Sequence, residues 1–360
     1  MRILLTIGLI APAGFLFIEL RNFIDVREST SARELQGVEY LRALEPLGAA
    51  LGEAQTAVIS ASSANTDAAG KTLEERIAGV ASVDERIGGV LGVHARWVNL
   101  RTQIDALPKR GDPRGLYTSY ADVTALQVAL VERIAQASGL AVDPDADLFA
   151  LHSAVTTYLP ELTVAIGRLA DLATLNQAAQ LSVADTAAMQ NLLGQASAAG
   201  AHLVAATETA ATATTDNTLV SNVFAPLDAV RSDLGRLAAQ GDTLFDGQVS
   251  HVNAQAFNTL REDLALAASK LSTSIFDQLT IQLTQRRDSA GRNGEYATIA
   301  LGVVILLALL PSARGVLDLL RYRRERRAFR RLDDEPPIEP GPQWTRATAG
   351  MARERAGAAR

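Results

Sequence analysis

The sequence predicts an all-α protein: a membrane-anchored antiparallel helical bundle whose long first and last helices are continuous with two transmembrane helices. Three observations lead there. Aromatic residues are only 5 % of an alanine-rich chain, which suits close helix packing better than a sheet built from β-branched and aromatic residues. Apolar residues recur every three or four positions over long stretches, and no alternating run is long enough for a strand. Two charge-free apolar segments, Ile3–Ile18 and Tyr296–Ala313, lie toward either end. At 1.5 Å per residue each is near the short limit for crossing roughly 30 Å of hydrocarbon.

The first segment, in residues 1–20, begins with Arg2. Ala11-Pro-Ala13 could serve as a small-residue cleavage site, which would make the segment a signal peptide. Gly14-Phe-Leu-Phe-Ile18 carries the apolar run past that site into helix-compatible sequence, which favours an uncut anchor. A helix from roughly Phe23 to Ser60 follows, with Pro46 and Gly48 as points of bending. Thr72 and Glu75 have the spacing of a capping box and open a helix that stops before Pro108. Lys109-Arg-Gly-Asp-Pro-Arg-Gly115 is a turn cluster, and the helix after it runs from Leu116 to Ser138, ending at Gly139. Asp143-Pro-Asp-Ala-Asp147 places acids at the positive end of another helix, as solvated capping groups, and Pro160 should kink it. Ser182 with Asp185 opens an Ala-rich helix that the Thr-rich stretch Ala210–Asn222 interrupts. Val249, Val252, Ala256, Leu260, Leu264, Ala267, Leu271, Ile275, Leu279 and Leu283 then trace one amphipathic helix from about Asp242 to Arg287. It would be roughly 70 Å long.

The net charge of -6 is unevenly spread. Residues 314–360 carry 12 Arg against 7 Asp or Glu, which leaves -11 on residues 21–313. An acidic body with a basic end argues against nucleic acid as a partner. The basic end also fixes a topology. Arg314, Arg321, Arg323, Arg324, Arg326, Arg327, Arg330 and Arg331 follow the second segment, against Arg286, Arg287 and Arg292 before it, so the C-terminus should be cytoplasmic and residues 21–295 outside. The same eight arginines are the membrane-surface candidates, drawn to anionic lipid. The expected order is a transmembrane helix in 1–20, a sensor-like helical domain in 21–295, a second transmembrane helix in 296–313 and a basic, partly disordered tail in 314–360. Within that tail Glu335–Pro342 has the composition of an extended linker.

Catalytic and metal motifs are nearly all excluded. No cysteine is present, which removes disulfides, thiolate metal sites and Cys nucleophiles. Ala68-Ala-Gly-Lys-Thr72 matches the end of a phosphate loop, but Asn65 stands where the first Gly belongs. Asp143, Asp145 and Asp147 have calcium-loop spacing, yet Leu148 replaces the Gly and Ala154 the bidentate Glu. His94, His152, His202 and His251 show no paired metal spacing. No cofactor, no metal and no enzyme activity is expected. The ligand-binding candidates are Arg96, Trp97 and Arg101, in His94-Ala-Arg-Trp-Val-Asn-Leu-Arg101, where guanidinium could grip a carboxylate-like anion and the indole wall a pocket. The competing reading is a packed Trp with arginine stems lying over it. Arg133 and Arg168, each beside an apolar helical face, are further candidates.

Glu34-Leu-Gln-Gly-Val-Glu-Tyr-Leu-Arg42, Ser138-Gly-Leu-Ala-Val-Asp-Pro-Asp145 and Tyr158-Leu-Pro-Glu-Leu162 resemble the helical extracytoplasmic sensor regions of bacterial methyl-accepting chemotaxis proteins and membrane sensor kinases. The resemblance covers residues 1–313; residues 34–170 are its specific portion, and the rest matches in architecture alone. It implies a bacterial inner (cytoplasmic) membrane protein that binds a small molecule outside the membrane, signals as a homodimer and transmits a helix shift of roughly an ångström or two. This chain departs from the family after the second apolar segment, with no linker domain, methylated coiled coil, phosphoacceptor His or nucleotide-binding motif. A separate cytoplasmic signalling protein is therefore the expected effector. The alternatives are a non-enzymatic envelope scaffold or a truncated receptor lacking output.

Overall fold

The computed structural model describes residues 2–61, 63–143, 145–178, 180–213, 217–245 and 252–332; within the helices, the side chains of 2–11, 217–221, 245 and 308–332 fall outside that description. The described residues are helical, with no strand among them. The helices are α1 (Arg2–Ile59), α2 (Ser63–Val83), α3 (Gly89–Leu91), α4 (His94–Asp105), α5 (Pro113–Ser138), α6 (Ala146–Ser153), α7 (Leu159–Leu175), α8 (Val183–Ala213), α9 (Asn217–Phe245) and α10 (Ala254–Leu332). A π-helical turn, Asp84–Gly88, joins α2 to α3, and a second, Ala154–Tyr158, joins α6 to α7. The chain divides into two compact units, Ile18–Ala297 and one formed by Met1–Phe17 with Thr298–Arg360.

Several helix ends follow the local chemistry read from the sequence. Asp112 caps α5 by accepting from the Gly115 N–H at 2.9 Å, Pro113 occupies the first turn, and Gly139 closes the helix with a left-handed φ of 92°. At the start of α8 the Asp185 N–H donates to Ser182 Oγ at 3.0 Å while Ser182 Oγ donates to the Asp185 carboxylate at 2.7 Å. Other ends differ. Thr72 lies inside α2, donating back to the Ala68 carbonyl at 3.3 Å, so α2 opens nine residues earlier, at Ser63. A threonine can satisfy itself this way within a helix, and capping-box spacing alone does not mark a start. The helix expected to run to Pro108 is broken at Gly92, whose φ of 66° reverses the chain before α4. Pro46 and Gly48 leave α1 unbroken; Gly48 serves close packing, since a Cβ there would lie 2.8 Å from Gln127 Nε2. Pro160 sits in the first turn of α7, where its missing N–H is harmless, directly after the π turn. The last helix begins at Ala254, while α9 continues past Asp242 to Phe245; residues 246–251 lie outside the described ones. Of the Thr-rich stretch Ala210–Asn222 expected to interrupt the helix, residues 210–213 belong to α8 and 217–222 to α9, while 214–216 lie outside the described residues.

Within Ile18–Ala297, cross-helix contacts define the packing. α10 runs antiparallel to α1, matching Glu34 with Arg286, Arg42 with Asp277 and Thr56 with Arg261. α5 is also antiparallel to α1, with Gly37 under Ser138 and Gly48 under Gln127. α7 lies beside α1 through Gln55 and Asp171, and α8 packs on α6, α7 and α9. Gly200 faces Leu234 and Gly241 faces Leu193, so small residues bring α8 and α9 together in antiparallel order. The apolar stripe read along α10 is the buried one: Leu260, Leu264, Leu271, Ile275, Leu279 and Leu283 are sealed against Leu44, Leu47, Leu51, Ile134 and Ile166 in one core. Val252 and Ala267 join them; Val249 lies outside the described residues.

Among the described residues no helix is long and apolar enough to cross a membrane; of the two apolar segments, side chains are described only from Pro12 onward and up to Leu307. Those parts expose large apolar groups. Phe15 and Leu16 are 63 % and 67 % exposed, and Ile299, Val303, Leu306 and Leu307 are each more than half exposed. The Pro-rich stretch Glu335–Pro342 lies outside the described residues, as do the side chains of Arg314 to Arg331.

Candidate functional site

An apolar core this continuous makes its buried polar groups informative, because each must be paired or neutralised. Three clusters stand out. At the first π turn, Asp84 accepts from the Tyr40 hydroxyl at 2.9 Å and meets His94 Nδ1 at 2.5 Å, and a Cβ on Gly88 would collide with its carboxylate. Burial, with the Asp84 hydrogen bond and charge adding to it, pushes the Tyr40 phenol up. Farther along α1, Asp171 of α7 accepts from Gln55 Nε2 at 2.7 Å and Thr56 Oγ1 at 2.8 Å, and Arg261 reaches Thr56 from α10. Burial lifts Asp171 to about 6 despite those two bonds and the nearby Arg261 charge.

The third cluster is the most concentrated. Arg286, on α10, donates to Glu34 Oε2 of α1 at 3.3 Å and to both oxygens of Asp143 at 2.8 and 3.0 Å, and it also contacts Asp145. The Arg286 side chain is 11 % exposed, Glu34 2 % and Asp143 0 %, whereas Asp145 is 48 % exposed. Here the expectation of solvated capping acids is corrected for Asp143, while Asp145 and Asp147 stay partly exposed at the start of α6. Asp143 is buried against a guanidinium, and Asp145, at the N-cap position of α6, makes no side-chain cap bond. The turn after Gly139 feeds the chain back across α1, which carries Asp143 inward. Gly37 makes this approach possible: a Cβ there would sit 2.4 Å from Ser138 Cβ.

Electrostatics follow from this arrangement. Burial raises Glu34 to about 7, with Asp143 and Asp145 adding to the shift and Arg286 opposing it. Burial alone would lower the Arg286 guanidinium, but its bonds to Asp143 and Asp145 hold it above its ordinary value. Behind the cluster on α6, His152 is sealed from solvent, and burial pushes its imidazole down to about 4, against the pull of Asp143. A groove of about 650 Å³ opens beside the cluster, lined by Phe23, Ile24, Arg27, Asp145, Asp147 and Arg286 among others. Leu20, Phe23, Ile24 and Arg27 line it from α1, and polar and apolar groups mainly from α6 and α10 line the rest.

The ligand candidates read from the sequence are not brought together. Trp97 is buried in the core, 2 % exposed, while Arg96 and Arg101 face outward and Arg101 lies 4.0 Å from Asp105. Arg133 is exposed on α5, and Arg168 donates to the Ala121 carbonyl at 3.1 Å between α7 and α5. Sequence reasoning assigned Asp143 and Asp145 to capping and Arg286 to the topology count, and passed over Glu34 as a functional group. Three acids, Asp143, Asp145 and Asp147, inside a segment otherwise rich in Leu and Ala were the available signal. No group of His, Asp or Glu among the described residues is arranged to hold a metal ion. Comparison with family models, curated proteins and solved structures gives no match.

Proposed function

We propose that the chain is a two-pass membrane sensor, anchored in the bacterial inner membrane, whose extracytoplasmic bundle binds a small ligand and passes a helix shift to a cytoplasmic protein. The carrying observation is α10. One unbroken helix, Ala254–Leu332, bears Arg261 and Arg286 within the bundle and continues through the second apolar segment into the arginine-rich run. A helix has little freedom to absorb an axial displacement, so a change at the Arg286 cluster is transmitted along it. The exposed Phe15, Leu16, Ile299, Val303 and Leu306 support the anchoring part, because hydrocarbon would cover apolar surface that water does not.

The chain has no cysteine, so single-cysteine labelling tests the topology directly. Val142, 79 % exposed, and Gly341 in the tail are replaced singly by cysteine, and intact cells are treated with a membrane-impermeant maleimide. Labelling at 142 with protection at 341 until permeabilisation is expected; the reverse pattern, or a chain that washes out of membranes, overturns the reading. Melting of the detergent-solubilised full chain with small anions, amino acids and organic acids tests the sensor part, where saturable stabilisation is expected.

A further inference from the structure

We propose that the cluster of Glu34, Asp143, Asp145 and Arg286 is a proton-binding site, and that protonation of Glu34 sets how tightly the turn after Gly139 is held against α1 and α10. The inference rests on the sensor reading and names the ligand class of that site.

The geometry leads to the proton by charge counting. Three carboxylates share one guanidinium, an excess of two negative charges when all are ionised, and the side chains of Glu34 and Asp143 are sealed from water. Among the described residues, no cation other than Arg286 pairs with these carboxylates. Arg27 of α1 and Asp147 of α6 line the adjoining groove as one cation and one anion, and His152 of α6 is buried as a neutral ring. Uptake of one proton from water converts a carboxylate to a carboxylic acid and halves the excess, with no other reactant needed.

The hydrogen bonds identify the acceptor. Asp143 is held at both oxygens, at 2.8 and 3.0 Å, and Asp145 is half in solvent, whereas Glu34 has one longer bond of 3.3 Å. Glu34 is therefore the buried carboxylate least compensated by Arg286, in keeping with its rise to about 7. The groove that reaches Arg286 and Asp145 gives water a path to the cluster. With Glu34 protonated, Arg286 pairs with Asp143 and Asp145, and the turn stays seated between the two long helices. Loss of the proton leaves three carboxylates, two of them buried, around one cation, and the turn carrying Asp143 and Asp145 is the part free to retreat.

The test uses the full chain in lipid nanodiscs, spin-labelled at Val142→Cys on the turn and Thr284→Cys on the outer face of α10, both exposed positions. The distance distribution is measured from about pH 5 to about pH 9, across the range in which the raised carboxyl titrates. A shift to longer distances with a midpoint near 7 is expected. Glu34→Gln should keep the acid-side distribution throughout, and Asp145→Asn, which removes one exposed carboxylate, should move the midpoint to lower pH. An unchanging distribution in the parent, or the same transition in Glu34→Gln, overturns the proposal. If Glu34→Gln loses its helical circular dichroism, the Asp145→Asn midpoint decides, and an unmoved midpoint overturns it. A flat pH response with the labelling pattern and ligand-dependent melting intact overturns the proton site alone; inverted labelling overturns the sensor reading whatever the pH response.

Discussion

Replacing Arg286 by methionine should be the most damaging single change on the α1–α10 contact. Methionine keeps much of the stem's packing and removes only the fork that serves Glu34 and Asp143. Both partner carboxylates have side chains no more than 2 % exposed, so neither can turn to water. Breaking a buried pair by deleting one partner costs about 3–5 kcal/mol, chiefly as the uncompensated charge left behind. For a domain of this size that corresponds to a fall in melting temperature on the order of 10 °C. The same interface supplies its own control. Arg42 and Asp277 also join α1 to α10 at 2.8 Å, but with 45 % and 54 % exposure, so Asp277→Ala should cost less than about 1 kcal/mol. Guanidinium unfolding followed by circular dichroism at about pH 8, where Glu34 is ionised, measures both variants. The gap should narrow near pH 5, because a protonated Glu34 needs no counter-charge. An Arg286→Met loss no larger than that of Asp277→Ala would show that burial does not govern these ion pairs.

Two further outcomes follow from single side chains. His152 is held neutral with its pKa lowered to about 4, so its contribution is present above its unfolded value of 6.5 and is lost as pH falls from there toward 4. His152→Leu should therefore gain on the parent by on the order of 3 kcal/mol between about pH 7 and about pH 4, read from paired unfolding curves; a gap independent of pH would contradict this. Glu34 and Asp171 act in the opposite sense, since their raised values remove stability as pH rises toward about 7 and about 6. Gly37→Ala should cost about 1–3 kcal/mol, because the new methyl meets Ser138 Cβ at 2.4 Å, whereas Gly52→Ala, with nothing within 4 Å, should be neutral or stabilising in the same helix. Thermal melting of the two variants side by side checks the contrast.

Periodic patterns were legible in the sequence and remote pairings were not. The stripe from Leu260 to Leu283 depends only on residues near each other along the chain, and it is the buried face of α10. Gly139 and the Ser182–Asp185 cap were legible for the same reason. Thr72 misled because a hydroxyl can bond its own helix as readily as it caps one. The site itself is assembled from Glu34, Asp143 and Arg286, whose separations of more than a hundred residues carry no local signature. Trp97 shows the limit of residue type as a guide: an aromatic flanked by arginines reads equally as a pocket wall or a core anchor, and only packing separates them, here placing the indole inside.

The unbroken register of α10 has a mechanical corollary. Arg261 and Arg286 stand 25 residues apart, which at 3.6 residues per turn is close to seven whole turns, so both project along one line of the rod about 38 Å apart. Twisting the shaft would swing both handles off their partners at once, and sliding it lengthwise would displace both by the same distance. Inserting one residue between the two positions would throw one handle about 100° out of phase, and inserting four would nearly restore it.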